Sequence, residues 1–237
     1  MKSTKQTNPK AFLLGILLIF GYQIILPIFY FGILKNFALS DNFLIKNITY
    51  LSYYLIIISL LILLYHKDLK KNWQTFLKNP KELLKNSLSF WTKGFLTMIL
   101  MNLIITTFTT NIAGNEELNR QLMTEMPLYS IIMMCLIGPF IEELVFRKSF
   151  RPAFQNKYTY AIVTSFIFAS LHVLNGFDVL TLSHIAENWT QILFLLPYGS
   201  LAFFFALAYY ETDNIFTSTI AHCTHNTLSV IIILLFL

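Results

Sequence analysis

Long apolar stretches alternate with short polar ones along almost the whole chain. Seven of these stretches come near the roughly 20 residues that a helix needs to cross the hydrocarbon core of a bilayer. They lie at 11–34, 43–65, 90–113, 128–146 or beyond, 158–174, 189–210 and 215–237. The pattern predicts an all-α, polytopic membrane protein: one membrane domain with about seven transmembrane helices.

Composition supports this class. The 237 residues are 56% hydrophobic and 12% charged, with a mean hydropathy of +0.61. A soluble domain of this size has too much surface to hide so many apolar residues, so we expect a multi-pass protein of the cell membrane. Both cysteines, Cys135 and Cys223, lie in apolar stretches, which indicates neither a disulfide framework nor a cysteine metal site.

The basic residues predict an orientation. If the N-terminus is cytoplasmic, the cytoplasmic side collects Lys67, Lys70, Lys71, Lys78, Lys81, Lys85, Lys93, Arg147, Lys148, Arg151 and Lys157. The N-terminal Lys2, Lys5 and Lys10 join them, whereas the outer side keeps Lys35, Lys46 and Arg120. This bias favours N-terminus in and C-terminus out. Because the net charge of +5 gathers beside apolar spans, we expect no nucleic-acid partner.

Three connecting segments have their own interpretations. Residues 66–89 form either an interfacial amphipathic segment on anionic lipid or an ordinary basic loop. Residues 114–127 are predicted to be a solvated outer connection. Residues 175–188, which include Gly176, Asp178, His184 and Glu187, form a plain loop, a short interfacial helix or a re-entrant piece.

The fourth apolar stretch carries charges that a lipid-buried helix avoids. Glu142, Glu143 and Arg147 would each cost several kcal/mol in a bilayer unless paired or hydrated. Residues four apart share a helix face, so Glu143 pairs with Arg147 and Glu142 is left for chemistry. Gly138-Pro139 predicts a kink that exposes a carbonyl near Cys135. We also expect this helix to run through Arg147 to about Phe154.

Later spans add polar groups that suit hydrolysis. His172 shares a helix face with Phe168, and His222 shares one with Asn226. A glutamate beside an imidazole is able to take a proton from water, and a second histidine with an amide is suited to holding an oxyanion. Alternatively, Glu142, His172 and His222 bind zinc, whose bound water is the nucleophile.

Three ordered motifs carry a family resemblance over about residues 128–237. Glu142 to Arg147 reads EExxxR, Phe168 to His172 reads FxxxH, and His222 to Asn226 reads HxxxN, on successive late spans. No HExxH motif, GxSxG-like serine motif or GxGD motif is present. Together the motifs resemble the CPBP (Abi) family of intramembrane proteases, which includes the CAAX prenyl endopeptidases and bacteriocin-immunity proteins. The spans in 11–113 match none of these motifs, and an eighth span found in some relatives is not evident.

The resemblance implies an assignment of roles. Glu142 and His172 would activate water, and His222 and Asn226 would hold the oxyanion. Glu143 and Arg147 would support the site, with Phe168 beside it. The position of His225 near His222 on the helix, apart from the resemblance, suggests it as a further neighbour. A mechanism without metal is favoured over zinc. The implied substrate is a membrane-embedded or lipidated peptide, either prenylated or of the leader type.

Two other functions stay open. A non-catalytic scaffold, regulator or immunity protein would keep the same polar core only for helix packing. A transporter would use Glu142 and the histidines as a proton relay, although the paired repeats of many transporters are absent.

Overall fold

The computed structural model describes residues 8–174, 177 and 181–236. The eight longer helices of this part are α1 (Pro9–Ile33), α2 (Phe43–Lys78), α3 (Pro80–Ile105), α4 (Gly114–Glu125), α5 (Pro127–Ala153), α6 (Lys157–Leu174), α7 (Trp189–Thr212) and α8 (Ile215–Phe236). Two short helices, Lys35–Ala38 and Leu182–Glu187, lie between α1 and α2 and between α6 and α7. The described residues contain no strand, and the predicted all-α class is confirmed.

Six helices of the described chain are long and apolar enough to cross a membrane: α1, α2, α3, α5, α7 and α8. The remaining predicted span, 158–174, coincides with α6, which is less apolar because it carries Lys157 and His172. A multi-pass membrane protein is therefore confirmed. The orientation stays a prediction; of the residues used above, Lys2, Lys5, Gly176 and Asp178 lie outside the described residues.

Residues 66–89 are helical on both sides of Asn79, so they are not an ordinary loop. They are the ends of two long helices, α2 and α3, which meet at Asn79. Lys, Leu and Gln are good helix formers, so α2 continues beyond the apolar stretch. Pro80 then starts α3 because the first helical position needs no N–H. Contact of these lysine-rich ends with anionic lipid stays a prediction.

The next connection also differs from expectation. The predicted span 90–113 is helical only to Ile105, after which the threonine-rich residues 106–113 leave the helix. Threonine loses side-chain freedom in a helix, and its hydroxyl donates to nearby backbone carbonyls instead. Thr106 and Thr107 each donate to the carbonyl three residues earlier. The predicted solvated connection at 114–127 is mostly helix α4.

Helices α5 and α7 form the centre of the bundle. Half of the most apolar window of each is buried, against at most 28% in the other four spanning helices. The buried side chains of α5 include Ile141, Leu144, Val145, Phe146 and Phe150, on all sides of the helix. A helix that is apolar all round is buried in the protein, so α5 carries its charged residues into the core.

Helix α1 contains a wide turn followed by a proline. The Leu26 N–H donates to the Gly21 carbonyl, five residues back. Pro27 has no N–H, so it leaves the Tyr22 carbonyl, also five residues back, without a donor from its own helix. The Tyr53 hydroxyl of α2 donates to this carbonyl at 2.8 Å. A side chain of the second helix thus completes the backbone hydrogen bonding of the first.

Candidate active site

The ion pair predicted within α5 is confirmed. Glu143 and Arg147 have fully buried side chains, and Arg147 Nε lies 3.6 Å from Glu143 Oε2. The guanidinium also donates to the Thr164 carbonyl of α6 at 3.5 Å and to the Ala202 carbonyl of α7 at 3.3 Å. Arg147 therefore joins the three innermost helices as well as neutralising Glu143.

His222 of α8 lies between the two glutamates. Its Nδ1 is 3.1 Å from Glu143 Oε1, and its Nε2 is 3.5 Å from Glu142 Oε2. The ring stacks on Phe205, with centroids 4.9 Å apart. Because the ionised Glu143 only accepts hydrogen bonds, Nδ1 carries a proton and Nε2 faces Glu142.

His172 of α6 is held by its own helix. Its Nδ1 lies 3.0 Å from the Phe168 carbonyl, and its ring packs against Phe168 and Tyr198 at 4.1 and 5.3 Å between centroids. A carbonyl accepts but does not donate, so Nδ1 bears the proton. The neutral ring therefore keeps a lone pair on Nε2.

Asn226 binds the backbone of α5 at a second wide turn. The Gly138 N–H donates to the Met133 carbonyl, five residues back, and Pro139 leaves the next carbonyl, that of Met134, without a helical donor. Asn226 Nδ2 donates to Met134 at 3.0 Å. The sequence predicted an exposed carbonyl near Cys135, and the structure has it one residue earlier.

One cavity joins the four predicted catalytic residues. Glu142, His172, His222 and Asn226 all line a space of about 670 Å³, as do Phe168 and His225. Among these, Glu142 and His222 are in contact, whereas His172 and Asn226 face the same space while bonded to backbone. The predicted extension of α5 beyond Arg147 is confirmed, since the helix runs to Ala153.

Sequence reasoning missed three tyrosines that line this cavity with Glu142: Tyr22, Tyr54 and Tyr129. They come from α1, α2 and the start of α5. The rings of Tyr22 and Tyr54 are 6.4 Å apart, and those of Tyr54 and Tyr129 are 5.9 Å apart. Tyrosine favours the membrane interface, so its recurrence in the interior of α2 was a usable signal of a polar cavity.

The zinc alternative was tested against the side-chain positions. Within the described part of the chain, no three His, Cys, Asp or Glu side chains are grouped so as to hold a metal ion. Of the proposed ligand set, Glu142 and His222 are adjacent, but no third ligand is grouped with them in the described residues. The side-chain positions therefore do not fit a three-ligand site.

The geometry thus defines a polytopic helical membrane protein with a buried carboxylate and histidine site. Comparison with known proteins adds the family. Residues 124–228 match the model of the family described as Type II CAAX prenyl endopeptidase Rce1-like. The chain is also 30% identical over 168 residues to a Bacillus subtilis (strain 168) protein named "Putative membrane peptidase YdiL".

The second match covers 64% of this chain and 62% of the relative, so the chain spans less than two thirds of that protein. No solved structure matches. All three motifs, from Glu142 to Asn226, fall inside the region matched by the family model. The matched region is thus similar to a family of membrane endopeptidases, which agrees with the resemblance that the motifs carry.

Proposed function

We propose that the protein is an intramembrane endopeptidase that hydrolyses a peptide bond with water activated by Glu142. The observation that carries the proposal is the position of His222 between Glu142 and Glu143, at the wall of a cavity that His172 and Asn226 also line. Helix packing alone gives no reason to leave a second carboxylate facing a cavity without an arginine or lysine partner.

Glu142 and His172 are the proposed pair that activates water. Arg147 pairs with Glu143, which leaves the Glu142 carboxylate without a guanidinium partner. The free Nε2 of His172 provides a second acceptor on the same cavity. A water molecule held by these acceptors has both of its protons engaged, so a lone pair on its oxygen is directed at the peptide carbonyl.

His222 and Asn226 are the proposed donors to the oxyanion. Glu142, Glu143 and Arg147 carry two negative charges and one positive charge, so a protonated His222 makes the group neutral. In that state Nε2 is a charged donor, which binds an oxyanion more strongly than a neutral one. Asn226 uses one N–H on Met134 and has a second N–H for the oxyanion.

The proposed reaction balances without a cofactor. One proton of water moves to Glu142 while the water oxygen bonds to the carbonyl carbon, and the carbonyl oxygen becomes the oxyanion. The carbon–nitrogen bond then breaks, and Glu142 returns the proton to the leaving amine. The products are a carboxylic acid and an amine, and the acid then loses the second water proton to the amine, which gives a carboxylate and an ammonium group.

The test compares membranes from cells that produce the intact protein with membranes from cells that produce Glu142→Gln. New peptide ends identified by mass spectrometry should be present with the intact protein and lost in the variant. Glu125→Gln is the matched control, since Glu125 lies at the end of α4 and does not line the cavity.

If Glu142→Gln retains all cleavage products, Glu142 is not the base. If no cleavage product depends on the protein while its biological effect survives Glu142→Gln, the non-catalytic scaffold or immunity function is correct instead. Metal dependence is measured in the same purified samples by elemental analysis.

A further inference from the structure

The cavity reaches the protein surface at one end of the bundle. Thr106, Thr110, Asn111 and Ile112 line it and are exposed. These residues follow the last turn of α3, and we call 106–112 the mouth. A side-chain amide holds the mouth in place: Gln191 Nε2 donates to the Ile112 carbonyl at 3.1 Å, and Gln191 Oε1 accepts from the Gly114 N–H at 2.9 Å.

The opposite end of the cavity is closed by aromatic side chains. Phe146, Phe168 and Phe205 line it and are at most 5% exposed. The fully buried Glu143 and Arg147 lie next to this wall. Within the described residues, the wall separates the cavity from the lysine-rich end of the bundle.

The wall between the mouth and Glu142 is rich in neutral polar groups. Its neutral polar residues are Asn102, Thr109, Asn115 and Asn119. Glu116 also lines this wall, and its carboxylate is paired with Arg120 at 3.0 Å. Asn115 Nδ2 donates to the Tyr198 hydroxyl at 3.5 Å, and the Tyr198 ring lies 5.3 Å from that of His172. Polar contacts therefore lead from the mouth to the site.

Side-chain amides and hydroxyls of this kind suit an extended peptide. A peptide in the membrane needs a donor or acceptor for each of its backbone groups, and asparagine supplies both. A hydrocarbon chain such as a prenyl group would contact only the apolar part of the lining, which includes Ile105 and Leu122, and would leave these amides and hydroxyls without partners. The polar part of the lining therefore favours recognition of peptide backbone on the approach to Glu142, while the apolar part suits the side chains of the peptide.

The mouth and the lysine-rich end lie at opposite ends of α3. This helix starts at Pro80, beside Lys78 and Lys81, and its 26 residues give a length of about 39 Å. Lysine-rich ends face the cytoplasm in membrane proteins. In the predicted orientation, the mouth therefore faces the outer side of the membrane.

We infer that the cavity takes an unmodified, extended peptide segment that reaches the protein from the outer face of the membrane, and that Asn102 and Asn119 hold its backbone. This inference rests on the proposed function, and it names the substrate class of the same site. A lipidated tail presented in the cytoplasm is the competing class.

The side of the mouth is tested first, without reference to activity. In a Cys135→Ala, Cys223→Ala background, Thr110→Cys and Lys81→Cys are labelled with a membrane-impermeant sulfonated maleimide. Both positions are exposed. We expect Thr110→Cys to react in intact cells and Lys81→Cys to react only after permeabilisation. The reverse pattern would overturn the inference whether or not the protein is a peptidase.

The substrate class is tested with the cleavage sites that depend on Glu142. They should map to segments on the outer face, and sites confined to cytoplasmic lipidated tails would overturn the inference while leaving the proposed function intact. For a synthetic peptide that spans such a site, Asn102→Leu and Asn119→Leu should each raise KM about fivefold, the equivalent of about one lost hydrogen bond, with kcat unchanged. An unchanged KM would remove these residues from substrate binding.

Discussion

Replacing Arg147 by methionine should destabilise the protein more than any change at its neighbour Lys148. Methionine keeps much of the volume but leaves the Glu143 carboxylate buried without its counter-ion, and it removes the donors to Thr164 and Ala202. Removing one partner of a buried ion pair costs about 3–5 kcal/mol. That is a large share of the stability of an ordinary domain.

Lys148→Met is the matched control. Lys148 also pairs with a carboxylate, at 3.0 Å, but its partner Asp68 is 54% exposed. Exposed pairs contribute about 0–1 kcal/mol. Two adjacent basic residues therefore differ severalfold in expected effect because only one pair is shielded from water.

A double substitution separates the loss of charge balance from the loss of packing. Glu143→Gln removes the buried charge and keeps an oxygen to accept from His222, so it should recover part of the stability lost in Arg147→Met. The expected coupling is about 0.5–3 kcal/mol. Unfolding in mixed micelles, followed by fluorescence of the three tryptophans during an SDS titration, measures all five proteins: the intact protein, the three single variants and the double variant. Equal stability of the Arg147→Met and Lys148→Met variants, or no recovery in the double variant, would refute the reasoning.

Three further predictions concern single hydrogen bonds. Asn226→Ala should cost about 1–3 kcal/mol in the same titration, because it leaves a buried carbonyl of α5 without a donor. Tyr53→Phe should cost a similar amount because it leaves the Tyr22 carbonyl without a donor. An unchanged unfolding midpoint would contradict the role assigned to Pro27. Hydrogen bonds from Gln121 and then from Lys46 lower the pKa of Glu125. The ionised carboxylate therefore stabilises the fold at pH values above the ordinary carboxyl pKa. This stabilisation is lost as the pH falls through the lowered pKa. Replacing Gln121 by leucine should raise that pKa in a carboxyl NMR titration.

Interactions within one helix were predictable from the sequence. The spacing of Glu143 and Arg147 defines an ion pair on an ideal helix, and the structure has that pair. The apolar stretches located the spanning helices, since the requirement for about 20 apolar residues is set by the bilayer. Helix ends were less predictable, because hydropathy marks where lipid ends and not where the backbone stops being helical, as the extension of α2 to Lys78 illustrates.

Contacts between helices were beyond the sequence. His222 and Glu143 are 79 residues apart, and nothing in their spacing fixes the relative height of α5 and α8. The motifs indicated that His222 shares a site with Glu142, but they did not indicate that it contacts both glutamates. Tyr22 and Tyr54 of the cavity were missed for a related reason, since α1 and α2 carry none of the family motifs.

Because of the two prolines, two backbone carbonyls receive their hydrogen bonds only from side chains that are synthesised later. The Tyr22 carbonyl, which Pro27 leaves without a helical donor, accepts from Tyr53, 31 residues later in the chain. The Met134 carbonyl, which Pro139 leaves without a helical donor, accepts from Asn226 of α8, 92 residues later in the chain. During synthesis, therefore, α5 enters the bilayer before the Met134 carbonyl has its hydrogen-bond donor. A chain that stops before Asn226 should be removed by quality-control proteases.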